Sequence, residues 1–346
     1  MKKNIPHDFH RCGIFIRHLC IHNRAIPRLL LAVGMLFAAS AQTAVTDDGK
    51  PGLTNYVVID LSAGADATSY PVFHLDTMPN SIPDDYRTTK LVLKKITAGN
   101  FTMGSPSGEI ERDPDEMQHR VTLTKDFYIG VFEVTQKQWE RVMGDWPSQV
   151  NNDRFRDTRP VGRVSYDDIR GSSAGAGWPA TTSVDAASFM GRLRARTGQV
   201  FDLPTEAQWE YACRAGTTTA QNSGKNLTSA ENCPNLSEIG RYKGNAGDGA
   251  QNGDTRVGTA KAGSYRPNAW GLYDLHGNVW EWCLDWYGNY AGAESDPKGT
   301  ASGSLRVTRG GGWGDDAVGC RSARRSNGNP NYRGYHIGFR AAKTLP

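Results

Sequence analysis

The residues that could do chemistry are concentrated between Asp274 and Arg340. From Arg306 the chain reads R-V-T-R-G-G-G-W-G-D-D-A-V-G-C-R-S-A-R-R-S-N-G-N-P-N-Y-R-G-Y-H-I-G-F-R. The Arg-Gly-Gly run, Trp313, Cys-Arg-Ser-Ala, Pro330 and Ile-Gly-Phe-Arg suit short strands and tight turns. The intervening Gly, Asp, Asn, Ser, Tyr and His suit loops that display side chains. Asp315, Asp316, Tyr332, Tyr335 and His336 would offer a ligand hydrogen-bonding groups and aromatic contact area. Just upstream, Asp274-Leu-His-Gly-Asn-Val-Trp-Glu281 sets two carboxylates around a glycine-containing turn, an oxygen-rich arrangement that a hard cation such as calcium prefers. A turn cap at Asp274 and an arginine partner for Glu281 are the alternative uses of those carboxylates. Trp280, Trp282, Trp286 and Tyr287 could stack on a sugar, but clustered tryptophans bury large areas, so the core is the expected place for Trp280 and Trp282.

Several chemistries find no support. There is no G-x-S-x-G elbow and no Walker-type loop, and Gly310-Gly-Gly reads as a strand turn and not a phosphate cradle. His74, His119, His276 and His336 are scattered, with no His-x-x-x-His or His-x-Glu spacing, whereas an iron facial triad needs two histidines and a carboxylate to converge. The acidic run Glu109 to Glu116 reads as a solvated loop.

Three helices are predicted to support these segments. Thr135-Gln-Lys-Gln138 is a capping box followed by Trp139, Val142 and Met143 on one face, with Gly144 as the stop. Ser183 is the predicted cap of a second helix carrying Ala186, Met190 and Leu193 and ending at Gly198. Thr205-Glu-Ala-Gln208 opens the third, with Trp209 and Ala212 inward and Gly216 at its end. Residues 217–268 are rich in Gly, Asn, Thr and Ser without periodicity and read as a long loop region. Tyr56 to Leu61 reads as one strand within an N-terminal arm, residues 42–88, packed on a main domain spanning 89–346.

Residues 1–41 read as an export signal: a basic start, the apolar run Leu29 to Ala38, then Ala39-Ser40-Ala41 as a cleavage site. That run is too short for a comfortable membrane span, so the mature chain is expected to have none and to be periplasmic or extracellular. The whole chain has 40 Lys and Arg against 36 Asp and Glu. Six of the basic residues and one acidic residue lie in 1–41, leaving 34 against 35 and a mature charge of −1. Nucleic-acid binding is not expected of so neutral a chain. Cys213, Cys233, Cys283 and Cys320 remain, an even set suited to disulfides in an oxidising compartment, with three connectivities open.

Four segments together resemble the formylglycine-generating enzyme (sulfatase-modifying factor) family. They are Phe101-Thr-Met-Gly-Ser105, Phe127 to Gln136, Leu203 to Gly216 and Asn268 to Trp282, and they run in the family's order with the C-terminal segment as the fifth. The resemblance implies an α+β, C-type-lectin-like fold with much irregular structure. It implies a Cys213–Cys320 disulfide, with Cys233 and Cys283 as the remaining pair. It also implies two calcium sites. In the first, Asp274 and Glu281 would give side-chain oxygens while Gly277 and Val279 give carbonyls; in the second, Asn245 and Asp254 would act with the carbonyls of Ala246 and Arg256.

The family's oxidase binds copper through a cysteine pair just after the Arg-Gly-Gly run, and soft thiolates are what Cu(I) requires. Here Asp315 matches the first of those cysteines and Gly312 a nearby serine. Copper-dependent formylglycine formation is therefore not expected. The leading expectation is an exported, non-copper binding or accessory module that takes a peptide, protein or glycan. Trp280, Trp313, Asp315, Asp316 and Arg321 would wall its groove, with Tyr332, Tyr335 and His336 beside it. Protein-modifying oxidation, by a formylglycine-generating-type oxidase or a divergent nonheme-metal enzyme, with an unassigned metal or none, is the enzymatic alternative. A third reading is a ligand-display protein diversified by a retroelement, because the framework also resembles such proteins. Gly314, Asp315, Asp316, Val318, Gly319, Ser326, Asn327, Gly328, Asn329, Asn331, Tyr332, Gly334, Tyr335 and His336 are all reachable from an Asn codon through its adenines.

Overall fold

A computed structural model describes residues 54–147, 156–246 and 258–346. Its strands are β1 (Tyr56–Asp60), β2 (Val72–Leu75), β3 (Lys90–Ile96), β4 (Gly99–Met103), β5 (His119–Leu123), β6 (Phe127–Gly130), β7 (Trp280–Trp286), β8 (Glu294–Ser295), β9 (Arg306–Arg309), β10 (Arg325–Gly328), β11 (Ile337–Gly338) and β12 (Ala342–Thr344). They form sheets in the orders β12-β6-β3-β1-β2, β10-β9-β7-β11 and β4-β5-β8. The expected signal at 1–41 lies outside the described residues. Among the described residues, no helix is long and apolar enough to cross a membrane.

From residue 56 onward the expected N-terminal arm supplies a strand of the central sheet. β1 lies between β3 and β2, antiparallel to both. Its alternation puts Val57 and Ile59 in one core cluster and Val58 in another, as the two-residue period of a strand demands. These residues therefore belong to the central sheet.

Helix α1 (Gln136–Met143) begins at the predicted capping box and ends at Gly144, whose φ of 85° is the left-handed stop. Its Trp139 and Val142 pack with Val57, Ile59, Leu91 and Leu93 of the sheet. A short helix, α2 (Tyr166–Arg170), is capped by Ser165. Helix α3 (Phe189–Thr197) ends at Gly198 as predicted but starts at Ser188, not Ser183. The Asp185 carboxylate accepts the Ser173 and Ala174 amides, which holds the chain before it out of the helix. Ser188 Oγ then accepts the Gly191 amide.

Helix α4 (Glu206–Arg214) opens on the Thr205–Gln208 box, and its Ala207, Trp209 and Ala212 pack with Phe127, Ile129 and Ala342. Its end differs by one residue from the sequence reading, because Ala215 itself adopts the left-handed conformation at φ 46°. The loop region after it contains helical turns at Pro234–Ser237 and Lys243–Ala246. The C-terminal sheet therefore sits between α4 and the loops that sequence singled out.

Candidate functional site

The turn after β9 needs glycine: Gly310 and Gly311 have φ of 98° and 76°. A Cβ on Gly311 would stand 2.6 Å from Cys320 Sγ and 2.7 Å from the Gly319 carbonyl oxygen. That turn brings Asp315 back over the sheet. Its Oδ2 accepts Trp280 Nε1–H at 2.8 Å and the Gly312 amide at 2.8 Å. Its own amide donates to the Gly312 carbonyl at 3.1 Å, and its carbonyl accepts the Lys243 amide at 2.9 Å. Asp315 thus fastens the turn.

These residues do not fit copper. The matching carboxylate is hard and already committed to two donors, while Cu(I) wants thiolate. Cys320, the one cysteine of the segment, is fully buried. Burial, followed by the charges of Asp315 and Asp316, pushes its thiol well above the ordinary range.

The expected groove walls separate into two groups. Arg321 is not a wall: it has no exposed surface, and its guanidinium is held by both Glu116 oxygens at 2.6 and 2.8 Å and by Glu109 at 2.7 Å. Trp280 is 7% exposed and faces the core, with its N–H spent on Asp315. Trp282 is fully buried and donates to the Val164 carbonyl. Trp286 is half-buried beneath the Arg306 guanidinium, 3.2 Å from its ring centroid, and Tyr287 donates to Asp115.

The second group comes together as a surface. Tyr335 is 64% exposed and Tyr332 47%. The Tyr335 ring lies 5.8 Å from Trp313 and 5.0 Å from His336, which is half-buried. Burial lowers the His336 pKa, so its ring is held neutral at pH 7. Asp316 pairs with Lys243 at 3.0 Å at the edge of this patch. The loop is anchored from below: the Arg163 amide donates to the Gly334 carbonyl, and a Cβ on Gly162 would stand 2.6 Å from the Tyr335 carbonyl oxygen. Of the fourteen Asn-codon-reachable positions, only Gly328 and Gly334 are buried.

The Asp274 turn is a buried acidic cluster. Asp274 has φ of 56°, and its Oδ2 accepts the Gly263 amide at 2.6 Å. Its Oδ1 is buried and has no hydrogen-bond partner. Glu281 is not free to act as expected. Arg340 grips both its oxygens at 2.6 Å, and Trp209 Nε1 donates to Oε2 at 2.7 Å.

Sequence reasoning missed Glu133, which is fully buried. It accepts the Val279 amide at 3.1 Å and Asn278 Nδ2 at 2.6 Å. Burial, then the charges of Asp274 and Glu281, raise its pKa well above the usual range. Burial likewise lifts Asp274 to about 6, against the opposing pull of the Gly263 amide, Arg340 and Arg87. The orphaned Asp274 oxygen fits a divalent cation, whereas the Arg340-bound Glu281 does not. At the second expected position, Asn245 and Ala246 are already engaged by protein donors, while Asp254 and Arg256 lie outside the described residues.

All four cysteines among the described residues are free, buried thiols, so neither Cys213–Cys320 nor Cys233–Cys283 is bonded here. Packing explains the separation: Cys213 and Cys283 share one core cluster, Cys233 and Cys320 another. Cys213 Sγ is 3.8 Å from His276 Nε2, but that pair is no nucleophile. Burial drives the thiol up to about 12 and the imidazole down to about 4, which is the neutral pair and not the ion pair that catalysis needs. His276 is spent on the Asn222 amide and the Cys320 carbonyl. His119 lies tilted against Tyr290, with ring centroids 4.4 Å apart. Among the described residues, Asp113, Asp115 and Glu116 alone group as metal-ligand types, and Arg324, Arg325 and Arg321 neutralise them.

The mixed sheets, short helices and long ordered loops define an α+β protein of the C-type-lectin-like kind. The sulfatase-modifying factor enzyme 1-like domain matches residues 81–345, and the chain belongs to that family. It is 28% identical to the formylglycine-generating enzyme of Bos taurus, over 92% of this chain and 94% of that one. Among solved structures, Treponema denticola variable protein 1 superposes with a TM-score of 0.57 at 27% identity, covering 74% of this chain and 96% of that one. PvdO from Pseudomonas aeruginosa does so with a TM-score of 0.57 at 28% identity, covering 73% and 94%.

Proposed function

We propose that this chain is an exported, non-copper member of its family that binds a peptide, protein or glycan through its C-terminal surface. One observation carries the reading: Asp315, where the family's oxidase resemblance calls for a thiolate, is a structural acceptor for Trp280 and Gly312 beside a buried Cys320. The metal chemistry is replaced by a brace. Beside that brace Tyr332 and Tyr335 are exposed on an anchored loop, with half-buried Trp313 and His336 against Tyr335. Tyrosines on a fixed scaffold give contact area at low entropy cost. Calcium, held through Asp274 with Glu133 nearby, would supply charge compensation to the turn beneath this surface.

Screening the purified chain on peptide and glycan arrays tests the reading. Hits that vanish in a Tyr332→Ala, Tyr335→Ala double variant of unchanged melting temperature support it. Hits that survive the double substitution place recognition elsewhere and contradict it.

Retroelement-driven diversification of the same surface has its own support. Twelve of the fourteen Asn-codon-reachable positions are exposed or half-buried, while Ala317, Cys320 to Ala323 and Arg325 between them are buried. The similarity to a variable protein of Treponema denticola points the same way. Sequencing the encoding locus for a near-copy of residues 306–340 differing at adenines tests it; a locus without such a copy would sink it.

A further inference from the structure

Asp285, on β7, is a buried carboxyl with an unused oxygen beside a cavity. It is 2% exposed, and its Oδ2 accepts the Glu206 amide at 2.7 Å. Among the described residues Oδ1 has no hydrogen-bond partner and Asp285 makes no ion pair. The residue lines a cavity of about 140 Å³ built from α4, β7, β8 and β10, with buried Met103 and Ala207 as its apolar wall. Glycine at 299 leaves the oxygen uncovered. Its φ is 72°, and a Cβ there would stand 2.8 Å from Asp285 Cβ and 3.2 Å from Oδ1.

The polar groups around the cavity are mostly acceptors. Glu206 is matched, since Arg325 holds its two oxygens at 2.7 and 2.9 Å and Tyr290 donates to Oε1 at 3.2 Å. That engages Arg325 Nε and Nη2, while Nη1 donates to the Asp115 carbonyl at 3.2 Å. Arg325 is the only lysine or arginine among the described lining residues, and all three of its nitrogens are taken. His119 Nδ1 donates to the Met117 carbonyl at 2.9 Å, which leaves Nε2 of the neutral ring as an acceptor. Exposed Glu294 adds another carboxylate to the wall. The cavity therefore offers oxygens without a cation to match Asp285.

We propose that this cavity binds the primary ammonium group of a small alkylamine or of a lysine side chain, with Asp285 Oδ1 as its anion. An ammonium brings three N–H donors and no acceptor, the complement of this wall. The volume agrees: it equals about four or five water molecules at roughly 30 Å³ each, and so an alkylamine of about five non-hydrogen atoms. A metal ion is less well served, because Asp285 is not among the described groups of three ligand-type residues. The site shares no residue with the Asp274 turn or with the Trp313 to His336 surface.

Protonation follows from the same burial. Desolvation, then the charge of Glu206, lifts the Asp285 carboxyl from 3.8 to about 8, against the Glu206 amide, Arg325 and Arg306. Cys283, on the same strand, is kept neutral by burial. At pH 7 the free chain thus holds a proton on Asp285, and an arriving ammonium replaces it while the proton leaves to solvent.

Calorimetric titration of the purified chain with n-butylammonium chloride tests this. At pH 7, in two buffers of different ionisation enthalpy, binding should release close to one proton. Affinity should rise about tenfold from pH 6 to pH 7, because Asp285 must ionise. Asp285→Asn keeps an acceptor for the Glu206 amide. It should weaken binding about tenfold or more and abolish the proton release, as loss of a charged hydrogen bond requires. The neutral isostere n-butanol should not bind. Competition by Nα-acetyl-lysinamide would assign the ammonium to a protein side chain and its failure to a free amine, and either result agrees with the proposal. No butylammonium binding, equal binding of butanol, binding unchanged in Asp285→Asn, or a calcium equivalent lost in that variant would overturn it. Should Asp285→Asn not fold, the proton release and pH dependence of the unaltered chain decide.

Discussion

The indole N–H of Trp280 donates to Asp315 Oδ2 across 2.8 Å, joining the first residue of β7 to the turn that follows β9. The same oxygen takes the Gly312 amide. A carboxylate here is a clamp between strand and loop, and the aromatic surface above is held by it.

Removing the clamp leaves two largely buried donors unpaired. Asp315→Ala should cost about 1–3 kcal/mol of stability, the usual penalty for orphaned donors. Asp315→Asn, which keeps an acceptor, should cost less. Denaturant unfolding checks both, and equal losses would argue that charge and not the acceptor matters.

Calcium should stabilise the chain through Asp274, and excess chelator should lower the melting temperature. Because burial lifts Asp274 from 3.8 to about 6, the folded calcium-free chain keeps a proton that the unfolded chain releases. This group therefore subtracts stability as pH rises from about 4 to about 6, and the loss is complete above that. Calcium binds the ionised carboxylate and should flatten the dependence. A chelator-insensitive melting curve at pH 7, with no calcium in elemental analysis, would remove the ion from the account.

Glu281 should prove a structural anion and not a metal ligand. Arg340→Met strands it beside Glu133 and Asp274 in a site with no exposed charge, and should cost about 3–5 kcal/mol, the range for breaking a buried pair. Thermal unfolding reads this directly. A cost that calcium restores in full would return Glu281 to the ligand set.

The chain from Gln42 should carry four free thiols, of which Cys213, Cys283 and Cys320 do not react with a thiol reagent until it is unfolded, because burial raises them above the ordinary thiol range. Intact mass with and without alkylation under denaturing conditions counts them. Masses showing Cys213 and Cys320 protected from alkylation until reduction would restore the family's bridge.

Local signals were readable wherever one residue acts through its own neighbours. The capping boxes at Thr135 and Thr205 and the glycine stops at Gly144 and Gly198 lie within a few positions of what they control. The α3 start was misread because Asp185 reaches to amides of residues 173 and 174, a contact no local pattern reveals. The Asp274 turn was legible as an oxygen-rich site, but its electrostatics were not. Glu133 is distant in sequence, Arg340 comes from near the C-terminus, and only the fold brings them to Glu281. Arg321 looked like a groove wall because arginine in a polar loop is ordinarily exposed. Its partners Glu109 and Glu116 lie in the acidic run that read as solvated.

The central claim is that this member of the family keeps the fold and gives up the copper chemistry. The direct measurement is mass spectrometry of a cysteine-containing sulfatase-motif peptide after incubation with the purified chain, Cu(I) and oxygen. The account predicts an unmodified cysteine and no copper retained on Asp315 or Cys320. Aldehyde formed in a copper-dependent way, and lost in Cys320→Ser, would contradict it.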